Sequence, residues 1–166
     1  MENYGIIDKK FISSHYNKFI NKKYIFRKLS YTSGTTGSPQ RYLRDVRCIA
    51  AEKYFQDKYF NWARKYIIEI RSSKLFSPEY QGRKIFKTLP FCRYMFVSAF
   101  HMQDKTLVNL VSRLKTIKNK CLWAFPSSAY MLAEYCVRNK IKLDFDVVIT
   151  SSEVLHNYQS EIIMRA

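Results

Sequence analysis

The chain has 166 residues, of which 47% are hydrophobic and 16% aromatic, enough for one globular domain or for part of a larger one. Lys and Arg number 29 against 13 Asp and Glu, so the net charge is +16. The basic residues are spread along the chain and form no DNA- or RNA-binding motif, which argues against nucleic acid as a partner. No stretch is apolar over the length needed to span a membrane.

The spacing of cysteines and histidines argues against a zinc site. The four cysteines form no Cys-x-x-Cys pair, and the three histidines have no metal-ligand spacing with one another or with the cysteines. Residues 1–10 are polar and lack the apolar core of a secretory signal. We therefore expect a cytoplasmic protein whose cysteines are reduced and buried.

The first part of the chain predicts a short helix, a strand and a glycine-rich loop. Residues 16–23 have the spacing of a short amphipathic helix, and residues 24–32 that of a strand. Residues 31–41 then read Tyr-Thr-Ser-Gly-Thr-Thr-Gly-Ser-Pro-Gln-Arg. Because the flanks on both sides are strand-like, we expect a hairpin that carries this loop.

The glycine-rich loop has the chemistry of a phosphate-binding site. Gly34 and Gly37 can adopt positive φ, which lets successive backbone N–H groups converge on an anion. The hydroxyl groups of the loop add donors, and Arg41 adds a charge that can pair with phosphate. The loop lacks the lysine of the P-loop motif, and an ordinary turn between two strands is the alternative that its composition leaves open.

A long helix is predicted after the loop, with Asp45 as its N-cap. Apolar and aromatic residues recur there at steps of three and four, and we expect this stripe to face the core. The stripe consists of Cys48, Ala51, Phe55, Tyr59, Trp62, Tyr66 and Ile70. Turn residues are then frequent up to residue 92.

The rest of the chain alternates between strands and helices, which is the pattern of an α/β fold with a parallel sheet and crossover helices. Ligands of such sheets bind beyond the carboxyl ends of the strands. The turns at residues 99–101 and 151–153 follow two predicted strands and are therefore candidate site segments. The predicted strands are residues 93–98, 121–125 and 146–150. The predicted helices are one capped by Asp104 or Thr106, one that begins at Pro126 and one that begins at Asn157.

Segments of the chain, taken in order, resemble one enzyme family. Residues 31–39 are similar to the phosphate-loop signature of the adenylate-forming enzymes, which include acyl-CoA synthetases, luciferases and nonribosomal adenylation domains. Residues 97–102, 124–130 and 150–155 resemble the phenylacetate–CoA ligase and capsular-polysaccharide CapK-like branch. The resemblance extends from about residue 5 to the end of the chain.

This resemblance implies an ATP-dependent ligase that activates a carboxylate as an acyl-adenylate and then transfers the acyl group to coenzyme A or another nucleophile. Mg²⁺ would bridge phosphate oxygens. No catalytic residue and no metal ligand is assigned. The implied site residues are Thr32, Ser33, Gly34, Thr35, Thr36, Gly37, Ser38 and Arg41 for the ATP phosphates, Phe100 and His101 for the acyl pocket, and Ser151, Ser152 and Glu153 beside adenine.

Other interpretations of these residues remain open. His101 could be an ordinary loop histidine, and Glu153 could be a carboxylate that favours a nearby helix N-terminus. The chain also departs from the family pattern, because Gln40 stands where many members have lysine, and Ala124 and Phe125 replace the usual Gly-Tyr.

Parts of the family's usual sequence have no counterpart in these 166 residues. They are a segment before Met1, a later segment that contacts ATP and magnesium, the ribose-binding aspartate and the C-terminal domain with its catalytic lysine. We therefore expect residues 1–166 to be one incomplete AMP-binding domain, part of the large domain of such an enzyme and inactive alone. A basic nucleotide- or nucleic-acid-binding module without catalysis is the alternative.

Overall fold

The computed structural model describes residues 7–31, 40–61, 64–72, 75–77 and 79–166. The chain divides into two compact units, Met1–Tyr59 and Phe60–Ala166. The second unit is a mixed α/β structure with a mostly parallel sheet of five strands, in agreement with the predicted α/β class. In the described ranges, no helix combines the length and apolar character that crossing a bilayer requires.

The first unit contains a hairpin between two short helical segments and one longer helix. Strands β1 (Arg27–Tyr31) and β2 (Arg41–Asp45) pair antiparallel, with Tyr31 opposite Arg41. The predicted hairpin is therefore present, whereas loop residues 32–39 lie outside the described residues. The helix predicted at residues 16–23 was misplaced, because the chain forms helix α1 (Lys9–Ser14) and only a 3₁₀ turn at Tyr16–Phe19.

The long helix predicted from Asp45 to Ile70 is shorter in the structure. Helix α2 (Val46–Phe60) begins after Asp45, whose carboxylate accepts a hydrogen bond from the backbone N–H of Arg47 at 2.7 Å. Asn61 then adopts a left-handed φ of 53°, a conformation in which helices commonly end.

Tyr66 and Ile70, predicted as the end of that helix, lie instead on a strand of the sheet. The intervening run is rich in isoleucine, whose branched side chain favours a strand. The predicted burial of the α2 stripe is also wrong where it is described, because Cys48, Ala51 and Phe55 are all exposed.

The sheet of the second unit has the strand order β4-β5-β3-β6-β7. Four strands are parallel, and β4 pairs antiparallel with β5 at one edge. The three predicted strands correspond to β5, β6 and β7, whereas β3 and β4 were not predicted. The strands are β3 (Tyr66–Ser72), β4 (Phe86–Thr88), β5 (Tyr94–Ser98), β6 (Lys120–Ala124) and β7 (Val147–Thr150).

Helices α3 (Asp104–Lys115), α4 (Pro126–Arg138) and α5 (Asn157–Arg165) confirm the three predicted helices. The N-cap of α3 is Gln103, so the prediction of Asp104 or Thr106 as the cap was wrong. Thr106 instead stands at the third helical position, where its hydroxyl accepts a hydrogen bond from the Gln103 backbone N–H at 3.0 Å. Alternate residues of the central strands share one hydrophobic core with α3 and α4. Members of this core include Ile68, Ile70, Met95, Val97, Leu110, Leu114, Leu122, Leu132 and Cys136.

The cysteines differ in burial, so the expectation that all four are buried is half wrong. Cys121 and Cys136 are buried, and burial raises the pKa of each thiol to about 11. Cys48 lies on the exposed helix α2, and Cys92 follows Phe91, which has a φ of 59° in the turn between β4 and β5. All four are free thiols.

Candidate functional site at the carboxyl edge of the sheet

The carboxyl ends of the four parallel strands form one edge of the sheet in the second unit. A 3₁₀ turn, Ala99–His101, follows β5, and residues 151–153 follow β7. Both candidate segments therefore lie at this edge. Strand β3 lies between β5 and β6, and the chain leaves β3 toward β5 but leaves β6 toward β7. Neighbouring strands whose connections diverge in this way mark the usual ligand crevice of an open α/β sheet.

His101 is held in place at the end of β5. Its ring Nδ1 lies 2.7 Å from the hydroxyl oxygen of Ser98, a fully buried residue, and the two atoms share a hydrogen bond. The Thr106 hydroxyl donates to the backbone carbonyl of His101 at 2.6 Å. These two bonds fix both the ring and the backbone of the histidine at the start of α3.

A cavity of about 690 Å³ adjoins His101 and is lined by several aromatic side chains. The rings of Phe76 and Tyr80 stack at 4.4 Å, and both meet the His101 ring edge to face, at 6.2 and 5.8 Å. Phe100 and Lys105 also line the cavity. The structure therefore places both residues predicted for an acyl pocket on the wall of a cavity that can hold a small organic molecule.

Gly82 leaves room for the Tyr80 ring in this cavity wall. A Cβ built on Gly82 would lie 2.2 Å from the Tyr80 hydroxyl oxygen and 2.3 Å from the ring carbon that carries it. The hydroxyl is in turn fixed because it donates to the backbone carbonyl of Lys84 at 3.0 Å. Only a residue without a side chain leaves the Tyr80 ring in its observed position.

Arg71, near the end of β3, is a candidate site residue that the sequence analysis missed. Its guanidinium carbon lies 4.2 Å from the centre of the Trp123 ring and 5.5 Å from that of Phe125. Such contacts contribute about 0.5–2 kcal/mol each, depending on solvent exposure. One terminal nitrogen donates to the Ser152 hydroxyl at 3.0 Å. Had residues 66–72 been predicted as a strand, the crevice rule would have pointed to this arginine.

The turn after β7 joins this arginine to α4. The Trp123 indole N–H donates to the Ser151 hydroxyl at 3.3 Å, and Ser152 has a φ of 72°. The Glu153 carboxylate accepts a hydrogen bond from the backbone N–H of Ser127 at 3.1 Å, in the first turn of α4. Glu153 therefore satisfies a free donor at a helix N-terminus, where the helix dipole favours negative charge.

Glu69, on the same strand as Arg71, is bound to a different partner. The Tyr94 hydroxyl donates a short hydrogen bond to the Glu69 carboxylate. Burial and this hydrogen bond raise the pKa of Tyr94, so the phenol remains protonated and acts as a donor. Tyr94 therefore supplies a protein partner for this carboxylate.

The remaining predicted site residues belong to the first unit. Thr32, Ser33, Gly34, Thr35, Thr36, Gly37 and Ser38 lie outside the described residues. Arg41 opens β2, and its guanidinium carbon lies 4.2 Å from the centre of the Tyr16 ring. Its side chain therefore stacks on a neighbouring aromatic ring at the end of the hairpin where Tyr31 and Arg41 pair.

The described residues contain no group of three or more His, Cys, Asp or Glu side chains that could hold a metal ion. Comparisons of the chain with protein-family models, curated proteins and solved structures returned no match.

Proposed function

We propose that the chain is part of an ATP-dependent ligase that activates a carboxylate as an acyl-adenylate, of the phenylacetate–CoA ligase and CapK-like type. Acyl transfer to coenzyme A or another nucleophile would follow. The proposal rests first on the similarity of residues 31–39 to the phosphate loop of these enzymes. The free thiols of Cys121 and Cys136 are consistent with the cytoplasmic location that we propose for it.

One structural observation supports this proposal above the others. The turns at residues 99–101 and 151–153 were selected because each follows a predicted strand, and both lie within segments that resemble that family. They follow two parallel strands, β5 and β7, and so lie at the same edge of one sheet. An ordinary loop histidine would not need to border a cavity, whereas His101 lines one of about 690 Å³.

Each group has a distinct part in the proposed reaction. The backbone and hydroxyl donors of the glycine-rich loop would bind the β- and γ-phosphates, with hydrogen bonds worth roughly 1.5–3 kcal/mol each. These bonds would orient the pyrophosphate as the carboxylate attacks the α-phosphorus and pyrophosphate leaves. Phe100 and His101 would border the acyl group. Mg²⁺, bound through phosphate oxygens, would offset the negative charge on ATP.

The loop can be tested in the 166-residue chain without knowledge of the acyl substrate. We expect the chain to bind Mg-ATP, measured by titration calorimetry. Gly34→Val, or Thr35→Ala combined with Thr36→Ala, should weaken binding about tenfold or more, because two or more donors to the phosphates are displaced. Thr88→Ala, at an exposed position on β4, is the matched control and should bind as the unaltered chain does.

Two results would overturn the proposal. The first is no binding of Mg-ATP to the unaltered chain, and the second is an equal affinity in the loop variants and the Thr88→Ala control. A basic module that binds polyanions through charge alone would behave differently. Its affinity for ATP would fall steeply with added salt and would not depend on Gly34.

A further inference from the structure

The backbone around Arg71 departs from regular strand geometry. Ile70 pairs with Val97 and Ser72 pairs with Ser98, so Arg71 is an extra residue in β3 relative to β5. A β-bulge of this kind redirects the side chain of the extra residue and is frequent beside binding sites. This bulge lies at the carboxyl edge, where β3 and β6 adjoin and their connections diverge.

The guanidinium of Arg71 has hydrogen-bonding capacity that its described surroundings do not use. A guanidinium carries five N–H donors, and here one terminal nitrogen donates to the Ser152 hydroxyl. The Nε atom is buried and has no hydrogen-bond partner. Among the described residues no carboxylate forms an ion pair with Arg71, and Glu69 accepts its hydrogen bond from Tyr94.

A buried donor without an acceptor is rare in folded proteins, because removing the donor from water costs free energy that no hydrogen bond offsets. The other contacts of Arg71 hold the guanidinium rather than neutralise it. The Trp123 ring lies against it, and the Ser152 hydroxyl fixes one of its terminal nitrogens. A planar fork held in this way presents its remaining donors in fixed directions, which suits the two oxygens of a carboxylate or phosphate group.

We propose that Arg71 anchors an oxyanion-binding site at the carboxyl edge of the sheet, between β3 and β6. Its ligand is the carboxylate or phosphate group of a small molecule. The Trp123 ring supports the guanidinium, and Ser152 holds its orientation from the turn after β7. This site does not rest on the proposed function, because neither ATP nor the glycine-rich loop enters the argument.

The buried Nε–H group gives a direct measurement. In ¹⁵N-labelled protein, the Nε–H resonance of Arg71 is assigned by its absence from the Arg71→Lys variant. Inorganic phosphate and sodium acetate are titrated separately at constant ionic strength. We expect a saturable shift of this resonance with at least one of the two anions. A shift with phosphate identifies a phosphate site, and a shift with acetate alone identifies a carboxylate site.

The variants separate this site from general charge effects. Arg71→Lys keeps the charge but not the planar fork, and should weaken binding of the effective anion about tenfold or more, followed by Trp123 fluorescence in a Trp62→Phe background. Arg113→Gln, at an exposed position near the end of α3, removes one charge and should leave binding unchanged. Gly34→Val should also leave it unchanged, so that failure of the phosphate loop and failure of this site are distinguishable.

The inference is wrong if neither anion shifts the Arg71 resonance in the unaltered chain. It is also wrong if the shift is linear in anion concentration, or if a folded Arg71→Lys variant binds with unchanged affinity. If that variant does not fold, the resonance is assigned instead through its proximity to the Trp123 ring, and the titration of the unaltered chain decides. Ser152→Ala then supplies the second variant, since it removes the hydrogen bond that holds the Arg71 guanidinium. It should weaken anion binding by less than about tenfold.

Discussion

The two units of the chain achieve their structure in different ways. Among the described residues up to residue 58, no side chain is buried, and the contacts are largely local: a β-ladder, helix caps at Asp8 and Asp45, and stacked Arg–Tyr pairs. From residue 66 onward, the sheet and helices α3 and α4 bury a shared apolar core. Burial of apolar area is the main source of folding free energy, so the second unit should hold most of the stability.

This difference bears on function. The predicted phosphate loop lies in the first unit, on a hairpin of the kind that has little stability without further packing. The turn with His101 and the strand residue Arg71 lie in the second unit, where parallel strands and a packed core fix their positions. Groups that must be preorganised around a substrate are best supported on such rigid elements.

The unequal stability of the two units can be tested most directly by removing one large side chain from each. Leu110→Ala, at a fully buried position on α3, should lower the unfolding free energy by about 2–5 kcal/mol. The loss combines the transfer free energy of the removed atoms with the cost of the cavity that they leave. Phe55→Ala on α2 should change the unfolding free energy by at most about 1 kcal/mol, since that ring is 54% exposed. Urea unfolding followed by circular dichroism measures both. Equal losses would mean that the exposed face of α2 has a packing role.

The alternation of strands and helices from residue 93 onward was predictable because each element carries its own local signal. Leu107, Leu110 and Leu114 repeat at helical spacing, and Pro126 begins α4 as expected of a residue that lacks a backbone donor. The carboxyl-edge rule then located the turns after β5 and β7. These parts of the fold and site depend on sequence periodicity and on one topological rule.

Strand β3 could not be found in that way, and Arg71 was missed with it. The positions of Tyr66 and Ile70 continue the helical spacing of the preceding residues, so local periodicity gave the wrong answer. Their strand conformation depends on hydrogen bonds to β5 and β6, whose paired residues lie between 26 and 54 residues further along the chain. Pairing at such separations has no local signature, and tertiary context decides it.

The stability of the second unit should also depend on alkaline pH, through a buried thiol of a kind that the described part of the first unit lacks. Burial raises the pKa of the Cys136 thiol to about 11 from an ordinary value of 9.0. The folded thiol therefore stays protonated while the unfolded thiol ionises, so its stabilising contribution is complete below pH 9 and is lost as the pH rises toward about 11. The loss attributable to this group is at most about 3 kcal/mol.

This contribution is measured as a difference, because burial also raises the pKa of the Cys121 thiol to about 11, so that Cys121 adds a loss over the same range. Unfolding free energies below pH 9 and near pH 11 are compared between the unaltered chain and Cys136→Ala, and the variant should lose less. Cys48→Ala, at an exposed position in the first unit, should show the full loss. A pH dependence that Cys136→Ala leaves unchanged would contradict a shifted pKa at this thiol.

The smallest expected change in unfolding free energy concerns residues of the second unit whose backbone is strained. The non-glycine residues with left-handed φ in the described ranges all lie beyond residue 60, and Lys140 is one of them, with a φ of 53°. It follows the C-cap of α4, where the Ile141 N–H bonds to the Cys136 carbonyl in the manner of a Schellman motif. Lys140→Gly should therefore raise the unfolding free energy by about 0.5–1 kcal/mol, because glycine adopts this φ without strain. Lys115→Gly, at the end of α3 in right-handed helix, should lower it by about 1 kcal/mol, and losses of equal size in both variants would show that the turn at Lys140 is not strained.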